Sequence, residues 1–347
     1  MALKVDRRAF VSSVVALVAS LGGHAMAATM EGRKVARVIL DNDFAGDPDG
    51  LFQLAHHALC RSVDIPLIVG SHLPDGFSSG HDASDGAARA RELLKLMTLD
   101  GRNTVIAGSE TAMRSKTSWT PSPATSAIVR EAMRSDVSEP LFYAAGAGLT
   151  ELALAWLAEP RIGQRVKLIW IGGNEHEGLA NPIPQPDEVE FNLSIDPVAA
   201  QVIFNESDIE IWQVPRDAYR QMLFSNTEVD ELAASGALGR YLKERLDAMA
   251  ELMAKIPGFP GITQTEAYVL GDSPLVTLTA LVPPFQPDPS SSRYKQMPTP
   301  KIRADGTYIA RPTGRPMRVY TDIDAKLTFR DMLAKFRTLR IEHPGQG

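Results

Sequence analysis

Between residues 41 and 50 the chain reads Asp41-Asn42-Asp43-Phe44-Ala45-Gly46-Asp47-Pro48-Asp49-Gly50, with four carboxylates packed into one short stretch. Negative charges this close repel one another unless a cation neutralises them, so the stretch is either a solvated acidic turn or a site for something positive. Its neighbours favour the second reading. The apolar run Ala36 to Leu40 leads in and a helical pattern from Gly50 leads out, which places the acids between a strand and a helix. In a parallel α/β sheet ligands bind beyond the carboxyl ends of the strands. Carboxylates at such a place can ligate a hard cation or take a proton from water as a general base.

The elements that would position these acids recur along the chain. Short β-branched apolar runs at Ala36 to Leu40, Ile65 to Val69, Thr104 to Ala107, Pro140 to Ala145, Val166 to Ile171 and Ile209 to Val214 read as buried parallel strands. Helical patterns lie between them at Gly50 to Ser62, Asp85 to Leu96, Leu149 to Ala158 and Pro197 to Asn205. This alternation predicts an α/β fold, an open, doubly wound, mostly parallel sheet flanked by helices. Glu228 to Lys255 reads as a helical pair, Arg318 to Ile323 as a late strand and Leu327 to Leu339 as a closing helix. The segment 283–300 is rich in Pro and Ser and reads as a loop, either a lid or mobile.

Lys4, Arg7 and Arg8 precede an apolar run from Phe10 to Leu21, and Ala25-Met26-Ala27 follows as a small-residue cleavage site. Residues 1–27 therefore read as a signal peptide, because the run is far shorter than the roughly 20 residues that span a bilayer. Arg7-Arg8 before Ala9-Phe10-Val11 looks like a twin-arginine address, which implies a bacterial periplasmic or secreted protein without a stable membrane anchor. The remainder, 34–347, is expected to be a single catalytic domain. A formal charge of -6 makes the chain a poor binder of nucleic acid. Cys60 is the only cysteine, so no intrachain disulfide can form. Assembly into a homo-oligomer is left open.

An EF-hand would need Glu at the twelfth loop position, and counting from Asp41 or Asp43 gives Phe52 or Leu54. A phosphatase of the haloacid dehalogenase type would use Asp41 as nucleophile and Asp43 as acid, with Gly271-Asp272 as its late metal motif. The second acid expected soon after Asp272 is missing. Motifs further along point elsewhere. Asp41, Asp43, Asp47 and Asp49 resemble the D-x-D-P-G-x-D-D cluster of nucleoside hydrolases with one residue inserted. Gly148-Leu149-Thr150-Glu151-Leu152-Ala153-Leu154-Ala155 resembles that family's G-x-L-T-N-L-A-L-A segment, and Trp170-Ile171-Gly172-Gly173 its central strand. Glu190-Phe191-Asn192 through Asp196-Pro197-Val198-Ala199-Ala200 is close to E-F-N-x-x-x-D-P-x-A-A, and Gly271-Asp272-Ser273-Pro274-Leu275 takes the place of H-D-P-L. The resemblance runs over about residues 36–282.

The resemblance implies hydrolysis of the N-glycosidic bond of a ribonucleoside or related riboside. Asp43, Asp49, the Gly146 carbonyl and Asp272 would be metal ligands, and this all-oxygen set suits Ca2+ better than Zn2+. Asp43 would also deprotonate the attacking water, while Asp47, Asn181, Glu190 and Asn192 would bind the sugar hydroxyls. Asn174 is a weaker sugar candidate. Asp196 is read as a helix cap.

Gly271 stands where the family often carries a histidine that protonates the departing base. His72, His176 and Tyr268 are the candidate substitutes, and Trp119 is a candidate stacking group. The gap keeps a second hypothesis alive, a non-catalytic calcium-dependent riboside-binding protein, with the phosphatase as a third.

Overall fold

Residues 34–179, 189–255, 265–283, 288–289 and 291–342 are described by a computed structural model, so the expected signal peptide and Asn181 lie outside the described residues. The chain runs β1 (Ala36–Asn42), α1 (Asp49–Ala58), β2 (Val63–Gly70), α2 (Asp82–Leu96), β3 (Thr104–Ala107), α3 (Thr125–Ala132), β4 (Leu141–Ala145), α4 (Thr150–Ala158) and β5 (Val166–Ile171). It continues through α5 (Phe191–Ile195), α6 (Pro197–Gln201), β6 (Glu210–Val214), α7 (Arg216–Tyr219), β7 (Leu223–Ser225), α8 (Asn226–Ser235) and α9 (Ala237–Met253). Last come β8 (Ala267–Val269), α10 (Pro274–Thr279), β9 (Arg293–Pro298), β10 (Lys301–Ile302), β11 (Tyr308–Ile309), β12 (Pro316–Asp322) and α11 (Ala325–Glu342).

Eight strands form one sheet in the order β3-β2-β1-β4-β5-β6-β12-β9, parallel except for the antiparallel edge strand β9. The expected doubly wound sheet is present. Winding proceeds outward from β1 through β2 to β3 and outward from β4 through β5 to β6, so the order reverses between β1 and β4. Both faces of β1 are apolar: Val38 and Leu40 join one core cluster and Ile39 the other. Period-2 alternation therefore carries no polar face, as expected of a strand covered by helices on both sides. Among the described residues no helix is long and apolar enough to cross a membrane.

Two expected segments differ. Residues 293–298, expected within a loop, form β9, where Arg293, Tyr294, Lys295, Gln296, Met297 and Pro298 pair with Asp322 to Pro316. Pro298 is tolerated because it ends an edge strand. The helix expected from Pro197 to Asn205 is a short α-turn followed by a π-turn over Val202–Glu206.

Arg315 explains how that turn ends. Its guanidinium donates to the carbonyls of Ile203 (2.8 Å), Phe204 (3.1 Å) and Ile209 (2.7 Å), tying the turn and the start of β6 to the entry of β12. Without these bonds three largely buried carbonyls lose a partner. Arg315→Met, which keeps the aliphatic stem, should lower the unfolding free energy by roughly 2–4 kcal/mol in urea titrations.

Candidate active site

The acidic loop leaves β1 at the point where the sheet order reverses, and the residues after β4 face it. Asp41 and Asp43 are buried, Asp49 is partly buried, and Asp47 is exposed on the rim. Asp272, 3% exposed, comes from the turn before α10. Two close contacts stitch this late residue to the first loop: Asn42 Nδ2 donates to Asp272 Oδ2 at 2.7 Å, and the Asp272 amide donates to Asp49 Oδ2 at 3.1 Å. Gly146 completes the group. A methyl group built on it would overlap the Asn42 amide and lie 2.7 Å from Asp272 Oδ2, so only glycine lets the β4 backbone come this close to the acids.

Burial is the main cause of the site's electrostatics. It holds Asp43 and Asp49 well above the ordinary carboxylate range, and in each case the Asp272 charge is the next contribution. Asp272 is pushed up to about 7 by burial, offset in part by the Asn42 donor. Asp41 also rises to about 7, through burial and the charge of Glu151. Its two oxygens accept from the hydroxyls of Ser71 and Tyr143, the latter at 2.5 Å. Asp41 is thus engaged on both sides, which leaves it poorly placed as a phosphatase nucleophile.

Asn42 was absent from the residues singled out in the sequence, yet it lies at the centre. Its Oδ1 is buried without a hydrogen-bond partner. Its Nδ2 also reaches Gln53 Oε1 at 3.4 Å, Gln53 meets His57 Nδ1, and His57 Nε2 meets Thr279 Oγ1 at 2.8 Å. The Thr279 hydroxyl donates to the Leu275 carbonyl at 2.6 Å, so it accepts from His57 Nε2–H and leaves Nδ1 to accept from Gln53. That is the neutral tautomer, in keeping with burial depressing the His57 pKa. A row of buried amide, imidazole and hydroxyl groups thus connects Asn42 to the helix that follows Asp272. Only a run of neighbouring polar residues on α1 hinted at it in the sequence.

Glu190 and Asn192 reach the same end of the sheet but serve first as clamps. Glu190 Oε2 accepts from the amides of Gly173 (2.6 Å) and Leu193 (2.9 Å), and Oε1 from the Asn192 amide (3.1 Å) and the Tyr219 hydroxyl (2.9 Å). A carboxylate offers about four lone-pair positions, so all are in use. Asn192 Nδ2 donates to the carbonyls of Gly146 (3.2 Å) and Ile171 (2.8 Å), joining the ends of β4 and β5. Asn174 braces the same region, accepting from the Glu190 amide and donating to the Gly306 carbonyl. Asp196 caps α6 through the Ala199 amide, as expected.

The candidate proton donors are all committed. His72 contacts Thr150 Oγ1 and the Leu73 carbonyl with its two nitrogens, both at 3.0 Å. His176 stacks on Tyr308 with ring centroids 4.9 Å apart, contacts Gln213 Oε1, and is held below its ordinary pKa by burial. The Tyr268 hydroxyl donates to Asp47 Oδ1 at 2.7 Å. Trp119 packs against the apolar cluster under α3 and α4, which argues against a stacking role. Phe191 and Phe77, by contrast, are 42% and 54% exposed and meet edge to face at 5.6 Å beside Glu190 and Asn192.

Elsewhere, His56, Cys60 and Asp331 bring ligand atoms within 4.8 Å of one another. The Lys335 ammonium already sits against Asp331 and 3.3 Å from Cys60 Sγ, so that cluster carries its own cation.

A doubly wound sheet with acids gathered at its reversal point defines an α/β protein with a largely buried acidic site at its strand ends. The profile of the inosine-uridine preferring nucleoside hydrolase family matches residues 51–331, and the chain belongs to that family. It is 48% identical over 68 residues to the inosine-uridine preferring nucleoside hydrolase of Crithidia fasciculata and 49% identical over 61 residues to that of Leishmania major. These matches cover 19% and 17% of this chain, and the chain spans only 19% and 18% of the length of those relatives. The fold is similar to that of a purine-preferring ribonucleoside hydrolase from Gardnerella vaginalis, with a TM-score of 0.66 at 17% identity over 87% of this chain and 98% of that one.

The Asn42–Asp272 contact yields a direct test. Asn42→Ala leaves the Asp272 carboxylate without its side-chain donor and should cost roughly 1–3 kcal/mol of stability, read from thermal or urea unfolding.

Proposed function

We propose that the protein hydrolyses the N-glycosidic bond of ribonucleosides or related ribosides. The observation that carries this is the bridge from the first loop to the late motif, in which Asn42 donates to Asp272, the Asp272 amide donates to Asp49 and Gly146 packs against Asn42 and Asp272, in a chain of the nucleoside hydrolase family. The donor set fits a hard divalent cation: it is all oxygen, mostly carboxylate, and the buried Asn42 Oδ1 has no other partner. Asp43, Asp49, Asp272 and the Gly146 carbonyl would hold Ca2+. When bound, such an ion supplies the positive charge that neutralises the acids and makes a neighbouring water more acidic.

The chain's own residues do the rest. Asp43, buried at the end of β1 beside other acids, is placed to take a proton from water. The surrounding carboxylates stabilise the positive charge that builds on the sugar as the base departs. Asp47, on the rim, and Glu190 and Asn192, at the ends of β4 and β5, orient sugar hydroxyls, with Glu190 yielding one of its four bonds to do so. Phe191 and Phe77 offer an apolar edge at the mouth. Gly271 supplies no proton, so good leaving groups should be favoured. That same glycine is what supports the second reading, a riboside-binding protein without turnover.

Asp43→Asn should abolish release of base from inosine, uridine and a nitrophenyl riboside alike, since each reaction needs the same activated water. Retention of more than a few per cent of wild-type rate on the nitrophenyl compound would remove Asp43 from the general-base role.

The raised carboxylate pKa values set a pH dependence. In the unfolded chain these groups lose their protons near pH 4, whereas in the folded protein Asp272 holds its proton to about 7 and Asp43 and Asp49 are held well above the ordinary range. The folded state binds more protons across that window, so metal-free protein should lose stability as pH rises from about 4 towards 7. Ca2+ competes with those protons. The gap in melting temperature between calcium-loaded and chelator-treated protein should therefore be small at pH 5 and wide at pH 8. Equal curves at pH 8 would exclude the cation.

A further inference from the structure

Gly271 is more than a missing side chain. A methyl group built there would lie 3.2 Å from Cδ2 of Tyr219 and 3.3 Å from Asp49 Oδ2, closer than packed atoms normally come. The ring of Tyr219 and the Asp49 carboxylate thus crowd the point from which a side chain at position 271 would start. Tyr219 ends α7, just beyond the carboxyl end of β6, and is half-buried, packed against the core cluster. Its hydroxyl is anchored on Glu190 Oε1 at 2.9 Å. The ring therefore lies against position 271, which Asp49 also borders, and reaches Glu190 with its hydroxyl.

The surrounding chemistry says what such a ring can do. Asp43, Asp47, Asp49, Asp272 and Glu190 offer oxygen to sugar hydroxyls or a cation, and none of them offers a flat apolar surface to a planar heterocycle. Tyr219 brings one beside these acids, its ring packed against the core cluster and its hydroxyl bonded to Glu190. Burial and the Glu190 charge raise the Tyr219 pKa above the ordinary phenol value, so the group is a wall and not an acid.

We propose that Tyr219 and Gly271 form a complementary pair in which the Tyr219 ring sets the size of the leaving-group subsite, making Tyr219 a specificity-determining residue. This rests on the riboside hydrolase reading for the identity of the ligand, but the steric pairing does not. A single-ring base fits against the wall more readily than a two-ring base.

Two measurements decide it. In a double-mutant cycle of Gly271→Ala and Tyr219→Ala, the fall in melting temperature caused by Gly271→Ala should be distinctly smaller when Tyr219 is already alanine, the remainder coming from the contact with Asp49. Equal losses in both backgrounds overturn the pairing. Tyr219→Ala should also raise kcat/KM for inosine relative to uridine at least tenfold, while Tyr219→Phe, which keeps the ring, leaves that ratio within twofold. An unchanged ratio in Tyr219→Ala overturns the specificity role. Should wild-type protein cleave neither nucleoside nor a nitrophenyl riboside, the hydrolase reading fails, and in the absence of nucleoside turnover the inosine to uridine ratio is taken from dissociation constants by calorimetry. There too a tenfold shift in Tyr219→Ala upholds the specificity role and an unchanged ratio overturns it.

Discussion

Concentrating carboxylates where the sheet order reverses is the constraint that organises this molecule. Burying even one unpaired carboxylate is costly, and here several share one cleft. The fold offsets that cost with donors taken from distant elements: Ser71 after β2 and Tyr143 on β4 for Asp41, Asn42 for Asp272, and the Asp272 amide for Asp49. What remains uncompensated is a surplus of negative charge, and a divalent cation is the natural counterpart to it.

A second layer keeps the cleft in shape. Glu190 gathers donors from the segment after β5, from α5 and from α7, and Asn192 fastens the carbonyl ends of β4 and β5. Residues that would meet the sugar are thereby held by the same bonds that hold the strand ends. Rigidity of this kind is what a site needs if its dipoles are to be set before substrate arrives.

Much of this was legible in the sequence, for reasons that differ by residue. The parallel strands announced themselves because both faces are buried, which leaves uninterrupted apolar runs such as Val166 to Ile171. Asp43, Asp49 and Asp272 could be picked out because strand ends and motif spacing mark them. Asn42 could not, since an amide between two aspartates carries no periodic signal and its importance comes from a contact with a residue far along the chain. The strand β9 was hidden by the prolines around it and by its exposure, since only Tyr294 and Met297 are partly buried and they do not alternate. Tyr219 was hidden by the shortness of α7, whose four residues are too few to display a pattern.

The bond between Asn42 and Asp272 joins residues 230 positions apart. Everything between them, most of the parallel sheet included, has to be in place before the acids of the first loop acquire their final partner. Contacts of such long range are made late, because the closure entropy of the intervening chain must first be overcome. A growing polypeptide that has emerged only through β6 would carry the acidic loop without Asp272, and so would be inert however well its early strands had paired. Competence in this protein is a property of the finished chain, and an amino-terminal fragment released by proteolysis would be silent.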